Sequence, residues 1–458
     1  MRRKMLFRIG LSVVIFVSVL LFYYNNIRDQ NKLKKLKIGE QYESVEQIDG
    51  LIAKYKENDT GQKGSNPVDE SKPLNGETED EDRLEKDVGV EEKTVLKKDE
   101  KPHEHSKILH SSTPGLRPVI QRVGNLVRSN PKQALHVSVV ACGDRGEETL
   151  VLLKSAVLFT TSPLVFHIFS EKELQNFFQL KLDLWPKDFL EKIEYNIYDI
   201  TFPSEENADE WKKLFKLCAS QRLFLPSLLM HIDSLIYVDT DIIFLSPLEE
   251  LWSFFAHFNG TQLVALAPEH EDANVGWYNR FARHPYYGPL GVNSGVMLMN
   301  LTRLRETTWM SSILKYYKEY RLKITWGDQD LINIYFHYHP DQLYEYSCEW
   351  NYRPDHCMYM SVCKTAEKNG AYVVHGCRRV MHNDKQPAFK AIYDTFKQHQ
   401  LGDNIETQLL ENLKKNLQST STTPCGKVGS IFLQQLEKFV NKQQHFLPKK
   451  PIPEKLNR

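Results

Sequence analysis

Two carboxylates one residue apart, Asp239 and Asp241, follow the apolar run Leu235-Ile236-Tyr237-Val238 and precede Ile242-Ile243-Phe244-Leu245. The first run predicts a buried strand that delivers both acids to its C-terminal end, where the ligand crevice of an open α/β sheet lies. Two acids held together resist burial unless a cation compensates them. A hard divalent ion that also binds diphosphate oxygens supplies that compensation. The competing reading is an exposed turn carrying two solvated acids.

Three further clusters carry candidate chemistry. Trp326-Gly327-Asp328-Gln329-Asp330 opens a helix whose apolar positions are Leu331, Ile334 and Tyr335. Asp328 and Gln329 are candidates to lie beside a transferred sugar, or Asp328 is only an N-cap, worth about 1 kcal/mol. Val292-Asn293-Ser294-Gly295 sets small polar residues before an apolar strand, which lets backbone approach a ligand closely; a plain strand entry is the alternative. Tyr372-Val373-Val374-His375-Gly376 is a short strand ending in an imidazole. His375 with Asp239 and Asp241 makes a mixed nitrogen and oxygen set suited to manganese, with His382 as the competing ligand. Lys385, beyond it, is placed to neutralise a diphosphate leaving group.

The elements that must position these residues read as α/β. Leu135–Ala141 is strand-like, a helical apolar stripe follows at Leu150, Leu153 and Val157, and Leu164–Phe169 is a second strand. Strand, helix and strand in so short a span form a βαβ unit and imply a parallel sheet. Asp144 with Glu147 three residues later predicts the helix start. Further strands are expected at Ile193–Ile197, Leu235–Val238, Leu263–Ala267, Gly295–Asn300 and Tyr372–His375. Helices are expected over Trp211–Met230, Leu248–Phe258 and Asp328–Tyr338.

Lys+Arg and Asp+Glu are equal at 59 each, which removes a global electrostatic case for nucleic acid. Ile9 to Tyr24 is uncharged and almost wholly apolar, preceded by Arg2, Arg3, Lys4 and Arg8. Its bulky end, Leu20 to Tyr24, fits an uncleaved anchor better than a cleaved signal peptide. The expected order is a cytosolic tail (1–8), a transmembrane signal anchor (9–24), a disordered lumenal stem (25–133), a catalytic domain (134–447) and a C-terminal tail (448–458). The stem is charge-rich and cannot bury enough apolar area to offset chain entropy, though a short helix near Gln41–Tyr55 is possible. The 7 cysteines form no C-x-x-C pair, so a structural zinc site is disfavoured, and in an oxidising lumen they read as three disulfides and one leftover. Cys357 and Cys363 are the one close pair. Sequons stand at Asn58, Asn259 and Asn300, the last expected to be buried.

The combination of YVDTD, GVNSG, WGDQD and a late HG followed by Lys-x-Pro resembles the retaining glycosyltransferases of family 8. Within that family, FKLCASQRLFLP, APEHE, GWYNRFARHPYYG and CEWNYRPDHCMY resemble the glucoside xylosyltransferases. The resemblance covers roughly Leu135 to Leu447. It implies a GT-A type fold with a mixed, mostly parallel sheet flanked by helices, in a type II membrane enzyme of the Golgi or endoplasmic reticulum. The implied reaction moves α-xylose from UDP-xylose, with Mn2+, onto O-linked glucose of EGF-like repeats such as those of Notch. The implied metal ligands are Asp239, Asp241 and His375. Val140, Ala141 and Cys142 would end the first strand under the uridine, and Arg222 would lie near the diphosphate or sugar. Asn293, Asp328 and Gln329 would line the transferred sugar, the last two as the catalytic residues; Ser294 would bind substrate, and Gly376 with Lys385 would cover the diphosphate.

The sequence departs from the family pattern twice. An extra residue turns the usual Lys-Pro ending into Lys385-Gln386-Pro387, and the stretch Thr302–Lys323 is shorter than in the glucoside xylosyltransferases. The second bears on the acceptor side and on whether this chain turns over. Two alternatives therefore stay open: a transferase using UDP-glucose or UDP-galactose, and a catalytically inactive sugar-binding protein of the lumen.

Overall fold

A computed structural model describes residues 116–202, 218 and 220–446. The expected tail, anchor and early helix, the sequon at Asn58, most of the stem and the tail from 448 lie outside the described residues. Among the described residues no helix is long and apolar enough to cross a membrane.

The described strands are β1 (Ile120–Val123), β2 (Leu135–Ala141), β3 (Leu164–Ser170), β4 (Ile193–Asp199), β5 (Ser234–Val238), β6 (Ile242–Phe244), β7 (Val264–Pro268), β8 (Val292–Asn300), β9 (Leu343–Glu345) and β10 (Val373–His375). Eight form one sheet in the order β1-β4-β3-β2-β5-β8-β7-β9, and β10 pairs with β6 in a separate ribbon. The β4-β3-β2-β5 block is parallel and β7 pairs β9 in parallel, while β1, β5-β8 and β8-β7 are antiparallel. All of β3 is buried, as expected where helices cover both faces of a parallel sheet. This is the GT-A-like, mixed and mostly parallel architecture that the resemblance implies.

One core lies between the sheet and the helices Gln221–Leu228, Leu301–Arg305, Trp309–Tyr320 and Asp328–Tyr338. The segment Thr302–Lys323 belongs to it: Trp309, Ile313, Tyr316, Tyr317 and Tyr320 recur at helical spacing and are buried. The Trp309 indole N–H donates to the Leu223 carbonyl at 3.0 Å. A second core covers the opposite face, and a third joins the β6-β10 ribbon to the C-terminal helices.

Several expectations are corrected. Regular structure begins before residue 134, where the catalytic domain is expected to start: β1 pairs with β4 and Asn125–Ser129 is helical. Asp144 does not cap the helix Gly146–Phe159; Arg145 occupies the N-cap and Asp144 pairs with Arg379 instead. Cys357 does not pair with Cys363. The bridges are Cys142–Cys218, Cys348–Cys363 and Cys357–Cys425, leaving Cys377 free. Sequence proximity misled here because the chain brings Cys425 back across the third core. Asn300 is half-buried, and its Oδ1 accepts the Arg303 N–H at 2.9 Å as a helix cap. The helix expected over Trp211–Met230 is seen as Gln221–Leu228, and 203–217 lie outside the described residues.

Across β2, β3 and β4 runs a ladder of rings. His136 and His167 are 3.0 Å apart between ring nitrogens, and His167 reaches the Tyr198 hydroxyl at 3.1 Å. Burial, then repulsion from His231, pushes the His136 imidazole down to about 4. Burial, then His136 and His231, push His167 well below its ordinary range. The folded state thus resists protons that the unfolded chain accepts below about pH 6.5. Stability is fully present above that pH and is lost as pH falls toward 4, by about 3 kcal/mol for His136 alone. A urea midpoint that falls between pH 6.5 and 5, above the carboxylate range, is the expected result. A flat midpoint over that window would contradict it.

Candidate active site

The acidic pair sits where the sheet strands end. Asp239 leaves β5 with its N–H donated to the Gly295 carbonyl at 2.9 Å, so β8 fixes the backbone that carries it. Asp241 is held by the ribbon: its carbonyl accepts the Gly376 N–H at 2.7 Å, one residue beyond His375 at the end of β10. His375 Nε2 lies 3.7 Å from Asp239 Oδ2 and 3.4 Å from Asp241 Oδ1. One donor atom from each of the three residues falls within 4.8 Å of the others.

The polar partners of His375 prepare it as a ligand. Its Nδ1 meets Asn351 Oδ1 at 2.9 Å, and Asn351 Nδ2 donates to Asn293 Oδ1 at 2.9 Å. The amide orientation makes Nδ1 the protonated nitrogen and leaves the Nε2 lone pair facing the acids. Asn293 Oδ1 also accepts the Gly295 N–H at 3.0 Å. Gly295 is a close approach: an added Cβ would stand 2.1 Å from His375 Cε1. Burial opposes a charge on His375, yet Cys377 and Asp241 outweigh it and raise its proton affinity. Burial likewise works against the Asp241 carboxylate, which His375 and Arg145 hold below its ordinary range. A site that draws a proton this way calls for positive charge. Two carboxylate oxygens and one imidazole nitrogen suit a divalent ion.

Opposite the acids, Arg222 reaches in from the helix Gln221–Leu228. It pairs with Asp239 at 2.8 Å and with Asp328 at 2.5 Å, and donates to the Ser294 carbonyl and hydroxyl at 2.5 and 3.1 Å. Its guanidinium stands 4.4 Å from the centre of the Tyr237 ring. Burial opposes the charge of Arg222, but Asp239 and Asp328 outweigh it and keep the group protonated. Burial pushes Asp328 up to about 6, Arg222 pulling the other way, so the carboxyl stays ionised at neutral pH.

Asp328 is the first residue of its helix, and the N-cap position is taken by Gly327. The N-cap reading is therefore set aside, and the carboxylate is committed to Arg222. Gln329 is fixed at both ends of its amide: Oε1 accepts the Ser294 N–H at 3.1 Å and Nε2 donates to the Tyr278 hydroxyl at 3.4 Å. Asp330 has a structural part, accepting the Thr325 and Trp326 N–H groups at 2.7 and 2.8 Å. Trp326, stacked on Trp277 with ring centres 4.1 Å apart, forms one wall.

A cavity of about 760 Å³ opens between the acidic cluster and the Arg222–Asp328 pair. Of the residues singled out in the sequence, it takes in Val140, Cys142, Arg222, Asp239, Asp241, Asn293, Ser294, Asp328, Gln329 and His375. Ala141 is buried in the second core instead, and Gly376 is buried behind Asp241. His382 does not join the acids; it bonds Glu148 at 2.8 Å. Lys385 is exposed and away from the cavity, its N–H donated to Asn383 Oδ1 at 2.9 Å. Sequence reasoning passed over Tyr237, Arg145, Arg353, Arg378 and Arg379, which line the cavity. Tyr237 was findable: it lies two residues before Asp239 on one strand and so shares its face.

Residues 136–379 match glycosyl transferase family 8. Glucoside xylosyltransferase 2 of Xenopus laevis is 53% identical over 319 residues, covering 67% of this chain and 75% of that protein. Glucoside xylosyltransferase 1 of Homo sapiens is 52% identical over 334 residues, covering 70% and 75%. The crystal structure of mouse xyloside xylosyltransferase 1, apo form, is 19% identical, spans 54% of this chain and 98% of its own, and superposes with a TM-score of 0.41.

Proposed function

The chain belongs to glycosyl transferase family 8 and is a glycosyltransferase, and from that premise we propose that it moves α-xylose from UDP-xylose onto O-linked glucose of EGF-like repeats, with retention. The observation that carries this reading is one cavity holding the Asp239, Asp241 and His375 cluster on one side and the Arg222–Asp328 pair with Gln329 on the other. Relatives more than half identical that are glucoside xylosyltransferases support the choice of sugar.

Asp239, Asp241 and His375 would hold a manganese ion, which supplies positive charge beside the diphosphate. Asn351 keeps the imidazole in the tautomer that offers Nε2. Arg222 fixes Asp239 and Asp328 at once, so the metal side and the sugar side keep one spacing. Asp328, Gln329 and Asn293 orient the sugar by its hydroxyls. With Asp328 engaged by Arg222 and an amide at 329, neither of these two residues offers a free carboxylate as nucleophile. The acceptor hydroxyl attacks from the face that the diphosphate leaves, and its proton passes to the departing phosphate. Positioning and charge compensation account for the rate.

Under this reading residues 9–24 anchor the chain in a Golgi or endoplasmic-reticulum membrane, with the catalytic region in the lumen. The three disulfides support an oxidising compartment. The test is to incubate the full chain with manganese, a panel of UDP-sugars and a β-glucosylated EGF-like repeat, and to read product mass. A pentose added only from UDP-xylose, and lost on chelation, is the expected outcome. A hexose instead would replace the donor. No product from a folded chain that still binds UDP with manganese would select the inactive sugar-binding reading.

A further inference from the structure

With Lys385 outside the cavity, the diphosphate needs another cation. Arg378 and Arg379 are candidates, but each is tied to a carboxylate, Asp355 and Asp144, and each side chain is more than half exposed. Arg145 differs. It occupies the N-cap of the fourteen-residue helix Gly146–Phe159, at the helix end that favours anions. Its Nη1 donates to both oxygens of Glu148 at 2.9 and 2.6 Å. The Glu148 side chain is only 3% exposed, and it is itself held by His382 Nε2 at 2.8 Å and by the Thr240 hydroxyl at 3.3 Å. Thr240 is the residue between the two acids of the metal cluster. A single buried carboxylate thus sets the guanidinium against the acidic loop.

We infer that Arg145, positioned by Glu148 and His382, is the cation that binds the diphosphate of a nucleoside diphosphate in this cavity. The inference rests on the nucleotide reading above and adds a residue to it. A guanidinium carries five N–H donors; Glu148 engages Nη1 and Asp144 Oδ1 stands 3.9 Å from Nε, so Nη2 remains for phosphate oxygens. Arg145 contacts the substrate; Glu148 and His382 act through it.

The test is calorimetric binding of UDP and of uridine to the full chain with manganese. Arg145→Met weakens UDP by about ten-fold or more and leaves uridine within about two-fold, and Arg145→Lys recovers part of the loss. Glu148→Gln weakens UDP by about three-fold, and adds nothing on the Arg145→Met background, whereas a merely structural part would be additive. If Glu148→Gln lowers the melting temperature sharply, the two Arg145 variants carry the test. UDP affinity unchanged in Arg145→Met, an equal loss for uridine, or the loss appearing in Lys385→Met instead overturns the inference. A wild type that binds neither ligand overturns the nucleotide reading, and this inference with it.

Discussion

Asp239→Asn is expected to lower the transfer rate by about three orders of magnitude while moving the melting temperature little. The asparagine keeps the size of the side chain, and its oxygen still accepts from Arg222 and from the Tyr237 hydroxyl, which sit 2.8 and 3.2 Å from Asp239 Oδ1. What disappears is the negative charge 3.7 Å from His375 Nε2, and with it one of three candidate donors to a divalent ion. Arg222 retains Asp328, so no buried charge is stranded. The measurement is initial rate against manganese concentration, with the melting curve as control. Wild-type turnover at ordinary manganese would sink the metal assignment.

Arg222→Met has the opposite signature, a large loss of stability together with activity. It removes the partner of Asp328, whose side chain is 6% exposed, and leaves that carboxylate buried beside Asp239. Breaking a buried pair from one side costs about 3–5 kcal/mol. The pH dependence follows from the direction of the Asp328 shift. Burial already lifts this acid to about 6, against about 3.9 in an unfolded chain, and loss of Arg222 lifts it further. The folded state then holds a proton that the unfolded state releases, so stability falls as pH rises through the folded value. The variant should gain stability as pH is lowered from 7 toward 5, where the histidine ladder of β2 and β3 works against it. Urea titration of Arg222→Met and of Arg222→Met/Asp328→Asn separates the two. The second variant should recover most of the stability and none of the activity. A single variant that loses under about 1 kcal/mol would show the pair to be dispensable for folding.

Local pattern carried much of this site. The apolar run before Asp239 is β5, Asp328–Tyr338 is a helix with those bounds, and Val373–His375 is the strand that brings His375 to the acids. These features rest on periodicity and strand ends, which short-range sequence encodes. What sequence could not supply lies in contacts across the fold. Glu148 and His382 are 234 residues apart, and their bond decides both the position of Arg145 and the absence of His382 from the metal cluster. Lys385 lies apart from the cavity for a backbone reason. Cys377, Arg378 and Arg379 all take positive φ, at 38°, 46° and 62°, and turn the chain directly after Gly376. The turn brings arginines to the cavity and carries Lys385 out to solvent.

Gly295 sets a rule of mutual exclusion. An added Cβ there would fall within 3 Å of His375 Cε1, Nδ1 and Nε2 together, and both residues are pinned by backbone hydrogen bonds, through Asp239 in one case and Tyr352 in the other. In this packing, any side chain at 295 and an imidazole at 375 compete for one volume. A gene copy drifting toward a non-catalytic sugar-binding protein could lose its metal through this glycine while keeping all three ligands spelled out. Whether such a copy still holds an ion would then be legible at position 295 before it is legible at 239, 241 or 375.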